Sequence, residues 1–190
     1  IPDGCIDLLF NLNGYADDCY IIPSTKERMT FSFQPYGHYF GIRLLPLQMI
    51  VPLDLPLHTL NTLKKAPLFL VSPILRTLYT HLLQAKTLDD RLHVVEQFTL
   101  QQPLHLSPST TIQNCLHIAY KEKGRAKLAD LERATCYSAR YLRNVFQEEI
   151  GISPKTFLDI VYVQFVVREM VNGNFKINEH LDEYNIYDVS

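Results

Sequence analysis

The sequence predicts an α+β chain in two parts. Antiparallel β structure followed by helices comes first, and an all-α unit comes second. Three observations carry this prediction. Apolar and polar residues alternate with period two through much of the first 60 residues. From Pro67 the apolar period becomes helical. The stretch "QQPLHLSPST" (101–110), with two prolines and two serines, then separates that block from a second helical one. The expected units are 1–102, with β hairpins in 1–60 and helices in 67–102, and 108–190.

In "CIDLLFNLNG", Ile6, Leu8, Phe10 and Leu12 alternate with Asp7, Leu9 and Asn11, and Asn13-Gly14 signals a hairpin turn. A second hairpin is expected in 29–44. Met29, Phe31 and Phe33 form one alternating strand, Pro35-Tyr36-Gly37 turns the chain, and Phe40, Ile42 and Leu44 form the other. Pro46, Pro52 and Pro56 predict irregular structure or short helix over 45–60. "PLFLVSPILRTLYTHLLQAK" reads as a core helix. Thr87 and Asp90 then form a capping-box start, with Leu88, Leu92, Val95 and Leu100 following at helical spacing.

Beyond the divider every element reads as helix. Thr110 with Gln113 predicts a capping box for a helix to about Lys123, stopped by Gly124. A short helix over 127–134 and a turn over 135–137 lead to a helix over 138–149, capped by Ser138 and ended by Gly151. Ser153-Pro154 starts a long apolar helix to about Val171. "NGN" (172–174) breaks that helix, and 177–184 reads as one more.

Composition narrows the function. No apolar run approaches the ~18 residues of a membrane span, and no secretory signal pattern is present. Cys5, Cys19, Cys115 and Cys136 show no zinc or C-x-x-C spacing, so reduced thiols in a cytoplasmic protein are the expectation. The seven histidines are scattered, with no H-x-H pair followed by glutamate, so no metal is expected. Neither a nucleophile motif nor a phosphate-cradling glycine loop appears, so neither an enzyme nor a cofactor is expected. Net charge is −2, yet 105–149 holds seven basic and five acidic residues against three and six in 150–190. The middle block is the mildly basic one, a weak footprint of a DNA binder.

A short helix, a tight turn and a second helix with a polar outer face make a helix-turn-helix arrangement. In "YSARYLRNVFQEEIGISPKTF", Leu142, Val145, Phe146 and Ile150 share one face, and Arg140, Arg143, Asn144 and Gln147 share another. Arginine forks onto guanine O6 and N7, and asparagine pairs with adenine N6 and N7. Arg140, Arg143 and Asn144 are therefore candidate base readers. Lys123, Arg125, Lys127 and Ser138 are candidate phosphate contacts, with Lys121 also just upstream. Phe31, Phe33, His38, Tyr39 and Arg43 on the second hairpin are candidates for a ligand pocket.

The residues "LADLERATCYSARYLRNVFQEEIGISPKTF" (128–157) resemble the first helix-turn-helix of the AraC/XylS family of bacterial transcription regulators. The likeness rests on Leu128-Ala129, Tyr137-Ser138, Leu142, Phe146 and the Gly-x-Ser-Pro of Gly151 to Pro154. By that resemblance Arg140, Arg143 and Asn144 take the base-facing positions, and a second motif follows along a long helix. "INEHLDEYNIYDVS" (177–190) is similar to the supporting helix and turn of that second unit. Asn185 stands where glycine is usual, Leu181 where alanine is usual, and Val161 where arginine is usual. "IPDGCIDLLFNL", "GIRLLP" and "KTLDDRLHVVEQFTLQQ" look like the cupin-like N-terminal domain often fused to such readers. The resemblance thus implies a partial cupin-like barrel, a small-molecule effector, double-stranded DNA as partner and a homodimer. It also implies a pattern cut short at both ends, since the sequence opens at Ile1 and closes at Ser190, and hence poor DNA binding by this chain alone. The rival expectations are a cupin-like binder or enzyme, and a shortened regulator acting as a protein-interaction module.

Overall fold

The computed structural model describes residues 4–24, 30, 32–45, 53–63, 65–101 and 109–173. It is an α+β chain with a four-stranded antiparallel sheet at the front and helices behind. The strands are β1 (Ile6–Asn11), β2 (Tyr20–Ile22), β3 (Tyr39–Leu44) and β4 (Ala66–Pro67). They lie in the order β3-β1-β2-β4, an open sheet among the described residues.

Strand β1 follows its alternation. Ile6, Leu8 and Phe10 are buried, while Asp7 and Leu9 are half-buried on the other face. Its turn to β2 is wider than a two-residue hairpin. Gly14 (φ +88°) is followed by a 3-10 turn at Ala16–Asp18 before Asp7 pairs with Ile22. Buried Asn11 holds this end together. Its Oδ1 accepts from the Asn13 N–H at 2.8 Å, and its carbonyl accepts the Tyr79 hydroxyl at 2.9 Å. A buried polar residue with its groups bonded costs little and fixes the local geometry.

Among the described residues the expected second hairpin is not seen. Strand β3 pairs along its whole length with β1, with Phe10 opposite Phe40 and Asp7 opposite Arg43. Residues 32–34 lie outside the sheet, and Met29 and Phe31 lie outside the described residues. In the described sheet β3 is the edge strand and β1 is its one partner. Strand β4, unforeseen because it is short and contains proline, closes the opposite edge against β2.

Helices α1 (Leu57–Leu60), α2 (Leu68–Val71), α3 (Leu75–Gln84) and α4 (Leu88–Gln101) follow. The single core helix expected from Pro67 is two helices. Pro73 brings no N–H to the ladder, and Ser72 before it is extended (φ −147°, ψ 86°). The α4 capping box forms as expected: the Thr87 N–H donates to Asp90 at 3.0 Å, and the Asp90 N–H to Thr87 Oγ1 at 3.1 Å. The face of α4 turned to the core carries Phe98 with Val94 and Val95. Leu88, Leu92 and Leu100 face outward.

The second unit comprises α5 (Thr110–Lys121), α6 (Leu128–Thr135), α7 (Ala139–Glu149) and α8 (Pro154–Val171). Ser109, not Thr110, caps α5, its Oγ accepting the Ile112 N–H at 3.3 Å. Gly124 (φ +79°) ends the turn after α5, and a Cβ there would strike the backbone of Leu158 and Tyr162. Buried apolar side chains form two clusters. One joins β1–β4 with α1–α4, and the other joins α5–α8 around Leu131, Leu142, Phe146 and Phe157. Among the described residues no single helix is long and apolar enough to cross a membrane.

Candidate nucleic-acid interface

Helix α7 is positioned from both ends. At its start, Ser138 Oγ accepts the Tyr141 N–H at 3.3 Å, and Glu132 of α6 accepts the Ala139 N–H at 2.6 Å. These bonds satisfy two of the orphan amides of the first turn, and the carboxylate sits at the positive end of the helix dipole. At its far end the Gly151 N–H returns to the Phe146 carbonyl at 2.9 Å, with Gly151 at φ +82°. The Glu149 carboxylate accepts the Ser109 N–H at 2.7 Å, tying this end to the start of α5.

The two faces of α7 separate cleanly. Leu142, Val145, Phe146 and Ile150 are buried against α5, α6 and α8, with Phe146 tilted against Phe157 at 6.0 Å. Arg140, Arg143, Asn144 and Gln147 are all exposed. The two arginines stand in the first two turns and Glu148 in the last, so positive charge gathers at the N-terminal half. That half is the part of a helix-turn-helix that enters a major groove.

The turn before α7 runs through Cys136, which is left-handed (φ +58°) and exposed. Tyr137 and Tyr141, an i,i+4 pair, tilt against each other at 4.5 Å and remain about half exposed beside Arg140. The spacing of this pair was visible in the sequence, but the contact of its two rings was not. Glu132 and Glu149 were also missed. Glu132 bonds a main-chain N–H across the α6–α7 turn and Glu149 one 40 residues away, contacts with no signal in residue type.

The phosphate candidates are placed unevenly. Lys127 and Arg125 are exposed on the loop between α5 and α6, and the Lys127 N–H donates to Asp130 at 2.8 Å. Lys123 leans the other way, its ammonium 4.5 Å over the Phe165 ring of α8. The Ser138 hydroxyl is exposed and remains able to donate while it caps α7.

The described residues of the predicted ligand pocket lie on β3 and on the segment before it. Phe33 and His38 are exposed at the end of the sheet, with Phe33 against half-buried Tyr39 at 4.9 Å. Arg43 forms a bidentate pair with Asp7 across the β1–β3 ladder, at 2.8 and 2.9 Å, on the outward face. Phe31 lies outside the described residues. Of these residues Tyr39 and Arg43 lie on β3, where the register sets Tyr39 opposite Asn11 and Arg43 opposite Asp7.

Other titratable groups are structural. Burial pushes the Cys115 thiol up to about 11, and burial also raises Cys19, whose sulfur accepts the Asn11 N–H at 3.3 Å. Burial, with Cys19 beside it, pushes the Tyr79 phenol up to about 12. Among the described residues no group of three or more His, Cys, Asp or Glu is placed to hold a metal ion. Comparison with protein-family models, with curated proteins and with solved structures finds no match to this chain.

Proposed function

We propose that the chain is a sequence-specific DNA-binding transcription regulator of the AraC/XylS type, cytoplasmic, bacterial and dimeric, and not an enzyme. One observation carries the reading. Helix α7 buries four apolar residues against α5, α6 and α8 while exposing Arg140, Arg143 and Asn144 in its first two turns. In this role the arginines take guanine edges and Asn144 takes adenine. Arg125, Lys127 and Ser138 supply phosphate contacts, and with them the salt dependence of affinity. The front unit responds to a small-molecule effector and passes that response on by shifting the population of arrangements of the two units.

The test is a titration of a duplex pool at two salt concentrations, with this chain and with a version extended past Ser190. Salt-dependent, sequence-selective binding supports the reading, and Arg143→Ala should relax selectivity at one base position. Absence of such binding by the extended protein overturns it. Stoichiometric metal in the purified protein would instead favour a metal-dependent binder or enzyme.

A further inference from the structure

The start of α7 carries two aromatic rings that neither the core nor the arginine face uses. Tyr137 is 45 % exposed and Tyr141 is 43 % exposed, and neither belongs to the buried cluster of α5–α8. They lean on each other instead, with ring centroids 4.5 Å apart and an interplanar angle of 32°. Tyr141 is also fixed at its backbone, since its N–H donates to the capping Ser138 Oγ at 3.3 Å. A ring held at its root and against a second ring has lost much of its rotamer freedom before anything binds. At 100° per residue Tyr141 stands about 60° around the helix from Asn144, its i+3 neighbour, on the flank of the face that Arg140, Arg143 and Asn144 share. From Ala139 to Gln147 the helix carries no acidic residue. A half-exposed aromatic surface in this basic and neutral setting suits an apolar group carried on a polyanion.

We propose that the Tyr141 ring, backed by Tyr137, reads the 5-methyl group of a thymine in the major groove, within about one base step of the adenine that Asn144 takes. The inference rests on the DNA-binding reading and adds to it one base determinant of a different chemistry. Thymine is the base that presents an apolar group in that groove, a methyl beside its O4 acceptor. An adenine held by Asn144 brings its own paired thymine to the same groove edge. The ring covers the methyl and removes it from water, an effect comparable to one buried methylene, or about fourfold in affinity. Tyr141 thereby discriminates where a hydrogen bond to O4 or N7 does not reach. The phenol hydroxyl has a rival use, a hydrogen bond to a phosphate oxygen, which would position the helix without reading sequence. The place of Tyr141 three residues before Asn144 favours the base edge, and the experiment separates the two.

The test uses the chain, its version extended past Ser190, and the preferred duplex from the salt titration above. Each thymine of the site is replaced in turn by deoxyuridine, which removes the methyl alone. One replacement should weaken binding about fourfold. Tyr141→Ala should weaken binding to the thymine duplex about tenfold and erase the uracil penalty, the mark of a direct coupling between ring and methyl. Tyr141→Phe keeps the ring against Tyr137 and should show the uracil penalty in full. Three results would each overturn the proposal. The site is indifferent to every uracil, the penalty survives Tyr141→Ala, or Tyr141→Phe binds as weakly as Tyr141→Ala, as loss of a phosphate hydrogen bond would give. Selective binding persists in all three, so the regulator reading would stand. Absence of selective binding by the extended parent would overturn both readings together.

Discussion

Asn61 donates from Nδ2 to the Gly151 carbonyl at 2.9 Å, joining two residues 90 positions apart. Asn61 follows α1 in the front unit, and Gly151 is the turn that ends α7. The approach is so close that a Cβ on Gly151 would meet the Asn61 amide and Leu57. This contact ties the front unit directly to the far end of α7. Gly151→Ala should therefore cost about 1–3 kcal/mol, from the left-handed backbone and from the collision together. Asn61→Ala should cost less, about 1 kcal/mol. Hydrogen exchange at the α1 amides should quicken in both, and protection of α1 in Gly151→Ala equal to the parent would refute the latch.

The two faces of α7 should answer differently to truncation. Phe146→Ala removes a fully buried ring and should cost about 3–5 kcal/mol in denaturant unfolding. Arg143→Ala and Asn144→Ala should leave stability within about 0.5 kcal/mol, since both side chains are exposed. If the regulator reading holds, each should instead weaken binding to the preferred duplex by about 1–3 kcal/mol.

The α4 cap should respond to acid. Its hydrogen bonds from the Thr87 hydroxyl and N–H hold the Asp90 carboxyl below its ordinary range. A depressed carboxyl contributes above its ordinary pKa, and the contribution is lost as pH falls through the lowered folded value. The parent should therefore exceed Asp90→Asn in melting temperature near neutrality, and the gap should close as pH falls below the ordinary carboxylate range. A constant gap across that range would count against the cap.

Thiol reactivity should sort the four cysteines by burial. Cys136 is exposed in the turn before α7, while Cys5, Cys19 and Cys115 are buried. A maleimide should label one thiol in the folded chain and four in denaturant, and Cys136→Ser should abolish the folded-state labelling. For Cys115, with its thiol pushed up to about 11, raising the pH to about 9 should add no folded-state reaction.

Where local chemistry decides, the sequence was a good guide. The β1 alternation, the Thr87–Asp90 cap, the Ser138 and Ser153 caps and the glycine ends of α5 and α7 depend on neighbours within a few residues. The same holds for the division of α7 into an apolar and an arginine-bearing face, which follows from a period of 3.6 alone. Partners of strands do not follow from period. β3 paired with β1 while 32–34 stayed outside the sheet, and that register set Arg43 opposite Asp7.

The sequence by itself determined the fold class, the helical half and the residues that α7 offers to solvent. Hydrophobic spacing and capping are read along the chain, one turn at a time. Only the tertiary structure decided which strands meet, that the leucines of α4 stay outside the core, and that Gly151 lies against Asn61. Those outcomes depend on competition among distant apolar faces for one limited core, and on close backbone approaches that no local spacing encodes.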